Sequence, residues 1–142
     1  MEEILKLITS IEKLIPEYMA DPVDRDVTNG SLAVCIIDEI GNVYGKLMGK
    51  DIIKTRQSYK IAWTKASQVW ITGFKTGEYE KLVFTCQIDE HTYGISRPDM
   101  IGWEGGQPIV LRSGKKISVG FSGFRGVSDL EIVLRAVKEA GL

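Results

Sequence analysis

The chain is poor in the residues that build metal sites and redox centres. Its 142 residues include one histidine, His91, and two cysteines, Cys35 and Cys86. Structural zinc sites take several nitrogen or sulfur ligands, and no CxxC pair is present to supply them. Both cysteines have apolar neighbours in the sequence, which is typical of buried free thiols and not of a disulfide in a cytosolic chain. The sequence therefore predicts no bound metal cluster.

Long apolar runs and an excess of positive charge are also missing. No apolar run approaches the roughly 20 residues of a spanning helix. Met1–Lys6 carries two acids where a secretory signal has bases. The 18 basic and 19 acidic residues are interleaved, whereas nucleic-acid binders concentrate basic residues on one surface. We therefore expect a cytoplasmic protein that binds neither nucleic acid nor a membrane.

The spacing of the apolar residues predicts one α+β domain over residues 1–142. Helices are predicted over residues 2–19, 51–71, 78–84 and from 128 onward, and strands over 32–38, 43–48, 92–96, 107–112 and 117–122, with a loop over 20–30. Asp51 is the predicted N-cap and Gly73 the predicted C-cap of the long helix, and Ser128-x-x-Glu131 is predicted to form a capping box that opens the last helix. Turn residues at 39–42 and at 113–114 join neighbouring strands into hairpins. Clustered hairpins favour an antiparallel sheet with helices packed on it over a βαβ fold.

The long third helix has a stripe of apolar residues that predicts the side packed on the sheet. Alanines at the centre of the stripe, Ala62 and Ala66, allow a close approach to the sheet, and Trp63 and Trp70 beside them are predicted to lie in the core or at an interface. Ser118, Gly120 and Ser122 give the last strand one small, smooth face. Such a face is where a helix, a ligand or another backbone comes close.

Recognised catalytic motifs are absent. Gly120–Gly123 is not a nucleophile elbow, because Phe124 stands where the last glycine belongs. A Ser-His-Asp or Cys-His site needs His91, which is predicted to lie in a solvated loop. Haem needs only one strong axial ligand, so the low histidine count does not exclude it, and His91, a tyrosine or a methionine are the candidates.

Residues 97–106 form the best candidate site. Arg97 offers a positive fork suited to a carboxylate, Trp103 offers a stacking surface, and Gly105 and Gly106 allow a backbone to approach a ligand. The alternative is a tight crossover in which the glycines serve only the backbone and Trp103 is buried at a subunit contact. On the long helix, Arg56 and Lys65 border the alanine stripe, and we expect them at the edge of a pocket.

Four segments in order resemble the GlcG/HbpS family, which includes the C-terminal domain of the PduO adenosyltransferase. They are an apolar strand ending in Asp and followed by Gly-Asn-Val (Leu32–Val43), a helix with Ala-x-x-Lys-Ala spacing (Ser58–Ala66), Gly-Gly-x-Pro-Ile (Gly105–Ile109) and Val-Gly-Phe-Ser-Gly (Val119–Gly123). Each motif is weak alone. Their order and spacing over residues 31–142 make the set more specific.

The resemblance implies a profilin-like α+β fold, a homo-oligomer, haem binding in some members and an accessory role in catabolic pathways. The haem-binding members use a histidine in the N-terminal helix, and residues 1–30 of this chain contain none. The segment before Gly105 also departs from the family pattern, at Arg97–Asp99 and at Trp103, which implies a different ligand.

Three functions follow as hypotheses. The first is an oligomeric protein that binds a small ligand, haem or a small organic acid, without catalysing a reaction. The second is a small cofactor-independent lyase, hydratase or isomerase acting on an organic acid, with Asp99, Glu104 or Lys65 transferring a proton. The third is a structural or assembly protein. Convergence of those three side chains on one cavity distinguishes the second hypothesis from the others.

Overall fold

The computed structural model describes all 142 residues and contains five helices and four strands. They are, in chain order, α1 (Glu2–Met19), α2 (Pro22–Thr28), β1 (Leu32–Asp38), β2 (Val43–Met48), α3 (Ile52–Thr72), α4 (Thr76–Phe84), β3 (Gly106–Val110), β4 (Lys116–Ser122) and α5 (Gly126–Glu139). The strands form one antiparallel sheet in the order β2-β1-β4-β3. The predicted α+β class, with helices packed on an antiparallel sheet, is confirmed.

The sheet is covered on both faces, and this explains why every residue of β1 is apolar or small until its final aspartate. On one face, α1 and α5 pack against Val34, Ile36, Val119 and Phe121 to form the main core. On the other face, α3 packs against Ala33, Cys35 and Ile37 through its own alanines. A strand buried on both faces loses the alternation of apolar and polar residues, and all seven residues of β1 are buried.

The ends of α3 agree with the sequence prediction. The carboxylate of Asp51 accepts hydrogen bonds from the backbone N–H groups of Ile53 and Lys54, both at 3.1 Å, and so caps the N-terminus. Gly73 ends the helix in the left-handed region, with φ of 76°. Of the two places predicted for Trp63 and Trp70, the core is ruled out, because the residues are 48% and 47% exposed, and an interface stays a prediction.

Other predictions for single elements are wrong for identifiable reasons. The loop predicted over residues 20–30 contains α2, which Asp21 caps by accepting hydrogen bonds from the N–H groups of Val23 and Asp24. The strand predicted over 92–96 is absent, and those residues form a turn, a bend and irregular chain. Cys86 is exposed, because it lies beyond the end of α4 and not within an apolar layer.

The final helix begins two residues before the predicted capping box. Its first residue is Gly126, and the hydroxyl of Ser128 donates to Asp24 Oδ2 at 2.7 Å instead of capping the helix. Asp24 is buried and also accepts from the side chain of Arg125 at 2.9 Å. Burial acts to raise the pKa of Asp24, but the hydrogen bonds from Arg125 and Ser128 outweigh it and lower the pKa. This network joins α2 to the start of α5.

No helix of the structure is both long enough and apolar enough to span a membrane.

Candidate functional site

Two depressions lie on the α3 side of the molecule, and Ile61 and Trp103 line both of them. The larger, which we call the tryptophan groove, has a volume of about 1000 Å³ and lies between the outer side of α3 and residues 94–103. Its apolar walls are formed by Ile37, Val43, Ile61, Trp63, Trp70, Ile71, Ile95, Met100, Ile101 and Trp103. Its volume and its largely apolar lining are those of a small-molecule site.

Hydrogen bonds hold the walls of the tryptophan groove in place. The indole N–H of Trp70 donates to the backbone oxygen of Asp38 at 3.0 Å, which fixes the ring against the end of β1. Gln68 joins α3 to the opposite wall, because its amide donates to the oxygen of Ile101 at 2.8 Å and accepts from the N–H of Ile101 at 2.9 Å. Trp103 is 66% exposed at the rim. The groove is therefore an ordered surface with free aromatic faces.

The smaller depression, which we call the polar cleft, has a volume of about 480 Å³. It lies between the α2–β1 connection, the first half of α3 and the start of α5. Its polar lining residues are Thr28, Asn29, Ser31, Lys54, Gln57, Ser58, Lys65, Glu104, Ser122 and Asp129.

A buried ion pair forms the inner wall of the polar cleft. The ammonium of Lys65 donates to Asp129 Oδ2 at 3.3 Å and to the backbone oxygen of Phe121 at 2.9 Å. The other carboxylate oxygen of Asp129 accepts from the N–H of Phe124 at 2.8 Å. Burial raises the pKa of Asp129 to about 7 and lowers the pKa of Lys65, although each partner opposes the shift of the other.

The two glycines predicted for ligand binding lie behind Lys65 and line neither depression. Gly105 has φ of 119°, and a Cβ on it would lie 2.5 Å from the oxygen of Phe121 and 2.7 Å from Lys65 Nζ. A Cβ on Gly106 would lie 2.5 Å from Thr76 Cγ2. Both positions therefore require glycine for packing, in agreement with the alternative of a tight crossover.

The predicted basic residues are placed differently from one another. Arg97 lies outside both depressions, where its guanidinium pairs with Glu90 at 3.3 Å and stacks over the ring of Phe84. Arg56 is exposed and lines neither depression. Lys65 and Trp103 are the predicted site residues that line a depression.

The three proton-transfer candidates do not converge on one cavity. Asp99 lines the tryptophan groove, whereas Glu104 and Lys65 line the polar cleft. The convergence of all three side chains on one cavity, which would favour the enzyme hypothesis, is therefore absent.

Ligands for a haem iron are scarce in the tryptophan groove. Among the side-chain types that bind haem iron in proteins, His, Cys, Met and Tyr, the lining residues include only Met100. That methionine is buried against Tyr79 and Val83. His91 is exposed and lies outside the groove. The lining of the groove therefore does not fit a strongly ligated haem iron.

Comparison with known proteins gives a result at the level of the fold. No family model and no curated protein matches the sequence. Several solved structures, including the following three, match over most of their length. A PduOC–haem complex has a TM-score of 0.68 at 17% identity, covering 97% of this chain and 91% of the other. A double mutant of HbpS from Streptomyces reticuli has a TM-score of 0.58 at 19% identity, covering 89% of this chain and 81% of the other.

The third structure is protein ORFY of Klebsiella pneumoniae, from the family DUF336, with a TM-score of 0.64 at 18% identity, covering 98% of this chain and 88% of the other. The chain has a GlcG/HbpS-type fold. This confirms the fold that the four motifs predicted. At these identities the likeness concerns the fold alone, so the ligand has to be argued from the residues of this chain.

Three residues of these depressions were missed by sequence reasoning. Asp129 was interpreted as part of a capping box. Gln68 was interpreted only as one residue of a predicted helix, and Ser31 as the residue that follows a predicted loop. A polar residue on the buried side of an apolar helix signals a buried partner. Lys65 and Gln68, three residues apart on α3, carried that signal in the sequence.

Proposed function

We propose that this chain is a small-ligand-binding protein whose tryptophan groove accepts a flat, largely apolar ligand. The observation that carries the proposal is the exposure of Trp63, Trp70 and Trp103 around one ordered groove. Large aromatic side chains left half-exposed in a concave surface indicate a binding site. A structure with this fold, the PduOC–haem complex, makes a porphyrin ring the first ligand to test.

The groove contacts such a ligand mainly through its shape and its apolar side chains, and it provides little coordination for a metal. Lys60 is the basic residue of the lining, and it is exposed, so it supplies a cation for an acidic substituent of the ring. Met100 supplies at most one thioether to a metal. The ring should therefore contribute most of the binding free energy, and the metal should contribute little.

Titration with haemin and with metal-free protoporphyrin IX tests this proposal. We expect saturable binding of one ring per chain, with dissociation constants for the two compounds that agree within about tenfold, a difference of about 1.4 kcal/mol. Quenching of tryptophan fluorescence and the shift of the Soret band provide the measurements. Trp63→Ala should weaken both ligands, whereas His91→Ala, which lies outside the groove, should change neither.

Two results would contradict the proposal. If neither ring binds saturably, the groove does not accept this class of ligand. If haemin binds at least a hundredfold more tightly than protoporphyrin IX, and His91→Ala removes the difference, the site is an iron-ligation site elsewhere on the chain.

We also propose a homo-oligomer that assembles through the free edge of β2. This strand pairs only with β1, and two of its side chains on the face toward α3, Val43 and Leu47, are about half exposed. The opposite edge strand, β3, contains Pro108, which has no N–H to donate. An edge strand with free N–H and C=O groups and apolar side chains is a template for pairing with another chain.

Leu47→Lys is expected to shift the protein from a dimer or larger assembly to a monomer, because a charge on the edge opposes strand pairing. Sedimentation velocity over a concentration series provides the measurement. Val110→Lys, an exposed apolar position on the edge strand with the proline, is the matched control and should leave the assembly unchanged. A wild-type monomer at all concentrations would refute the oligomer.

A further inference from the structure

One buried polar atom of the polar cleft has no partner in the protein. Ser31 is 4% exposed, and its hydroxyl neither donates nor accepts a hydrogen bond. Its backbone oxygen, in contrast, accepts from the hydroxyl of Thr28 at 3.0 Å and from that of Ser58 at 3.2 Å. A buried hydroxyl without a partner loses the hydrogen bonds it would make to water. Ser31 also lines the polar cleft, so a rotation about its Cα–Cβ bond would turn the solvent-inaccessible hydroxyl toward a ligand there.

The charges around the polar cleft balance. Lys54 and Lys65 face Glu104 and Asp129, giving two cations and two anions. Lys65 and Asp129 already neutralise each other across 3.3 Å. Glu104 lies close to Gly126, the first residue of α5, so its carboxylate occupies the helix end that otherwise attracts anions. A charged ligand therefore finds no excess of opposite charge in this cleft.

Hydroxyl and amide groups make up the rest of the polar lining. Asn29, Gln57 and Ser122 have no side-chain hydrogen bond within the protein, and an amide offers both donors and an acceptor. A hydroxyl on a ligand can also donate and accept, so it suits carboxylates, ammonium groups and amides alike. Trp103 adds an exposed aromatic face at the rim. This combination favours a neutral ligand that carries several hydroxyl groups on a compact ring.

We propose that the polar cleft binds a neutral polyhydroxylated ligand of monosaccharide size, with Ser31 hydrogen-bonded to one ligand hydroxyl and Trp103 against the ring. The volume of about 480 Å³ lies within the range of small-molecule sites. The polar cleft shares Ile61 and Trp103 with the tryptophan groove, but Ser31 lines only the cleft, so Ser31→Ala tests this proposal independently of the porphyrin titration.

A panel of neutral monosaccharides (glucose, galactose, mannose and ribose), with acetate and inorganic phosphate as charged probes, tests the proposal on the full chain. We expect saturation-transfer NMR and calorimetry to detect saturable binding of at least one sugar and of neither anion. Ser31→Ala should weaken that sugar by roughly two- to tenfold, the effect of one hydrogen bond. Its thermal midpoint should stay unchanged or rise, because the substitution removes no hydrogen bond of the protein. Trp103→Ala should weaken the same sugar without unfolding the chain.

Ser118→Ala is the matched control, since Ser118 is a buried serine that lines neither depression, and it should leave sugar binding unchanged. Failure of every sugar to bind at any concentration up to its solubility limit would overturn the proposal. Saturable binding of acetate or phosphate in place of the sugars would overturn it as well, since the balanced charges exclude that result. Equal sugar affinity in the wild type and in Ser31→Ala would remove Ser31 from the site.

Discussion

Gly120→Ala is expected to remove a large share of the stability of the fold. Gly120 lies on β4, where α3 crosses the sheet, and a Cβ there would lie 2.0 Å from the oxygen of Ala62 and 2.7 Å from the nitrogen of Ala66. These are backbone atoms of a long helix, so no side-chain rotation relieves the overlap. The helix would have to move off the sheet and expose the layer beneath it. We expect a loss of more than about 4 kcal/mol, against a usual total stability of about 5–15 kcal/mol.

Urea denaturation followed by circular dichroism measures this loss. Gly77→Ala is the matched control, because Gly77 lies in the first turn of α4 and a Cβ there meets only Glu104 and Gly102 at ordinary contact distances of 3.5 and 3.6 Å. It should be neutral or slightly stabilising, since alanine favours a helix more than glycine does. A cost below about 1 kcal/mol for Gly120→Ala would show that α3 moves freely over the sheet.

The close approach of α3 to β4 could be predicted because each of the two contacting surfaces has a recognisable pattern of small residues within a short segment of the sequence. Ala62 and Ala66 are one helical turn apart, and Ser118, Gly120 and Ser122 alternate along a strand. Each pattern describes one surface of one element and needs no knowledge of its partner. The same holds for β1 and β2, whose predicted bounds agree with the structure.

The tryptophans could not be placed in the same way. Apolar spacing assigned Trp63 and Trp70 to the sheet side of α3, but the helix turns its small and polar residues inward and presents its largest apolar side chains to the groove. The spacing of apolar residues shows which side of a helix is apolar, but it does not show how close that side lies to the sheet. Since Gly120 and the alanines bring the backbones close, an indole has no room between helix and sheet.

The polar cleft was hidden for a different reason, since its members come from distant parts of the chain. Lys65 and Asp129 are 64 residues apart, and Ser31 lies a further 34 residues before Lys65. Near Asp129, the local pattern Ser128-x-x-Glu131 indicated a helix cap, but α5 begins at Gly126. Local rules cannot detect a long-range partner, and the hydrogen bond from Ser128 to Asp24 took the place of the cap.

Lys65→Met is expected to produce a loss of stability that depends strongly on pH. Methionine keeps the length of the side chain but leaves the carboxylate of Asp129 buried without its cation. Removing one partner of a buried pair costs about 3–5 kcal/mol. We expect this loss at pH 8, measured as the difference in free energy of unfolding between the variant and the wild type in urea.

The sign of the pH dependence follows from the raised pKa of Asp129. In the wild type, burial raises it from the ordinary value of 3.8 to about 7, although Lys65 and the N–H of Phe124 lower it. Loss of Lys65 removes one of these lowering effects, so the pKa rises further. An acid with a raised pKa in the folded state contributes its stability at low pH and loses it as the pH rises through the folded pKa. The loss caused by Lys65→Met should therefore be smaller at pH 5, where Asp129 is protonated, than at pH 8.

The double variant Lys65→Met/Asp129→Asn separates the buried charge from the loss of packing. An asparagine oxygen can still accept the hydrogen bond from the N–H of Phe124, and no charge remains in the pair. The double variant should recover most of the stability at pH 8, and its difference from the wild type should change less with pH than that of the single variant. Asp24 and Glu104, the other acids that act on the pair, are unchanged in both variants, so their titration cancels in the comparison. If Lys65→Met loses the same stability at pH 5 and pH 8, Asp129 does not titrate as a buried acid. The packing of Lys65 and its hydrogen bond to Phe121 would then account for the whole loss.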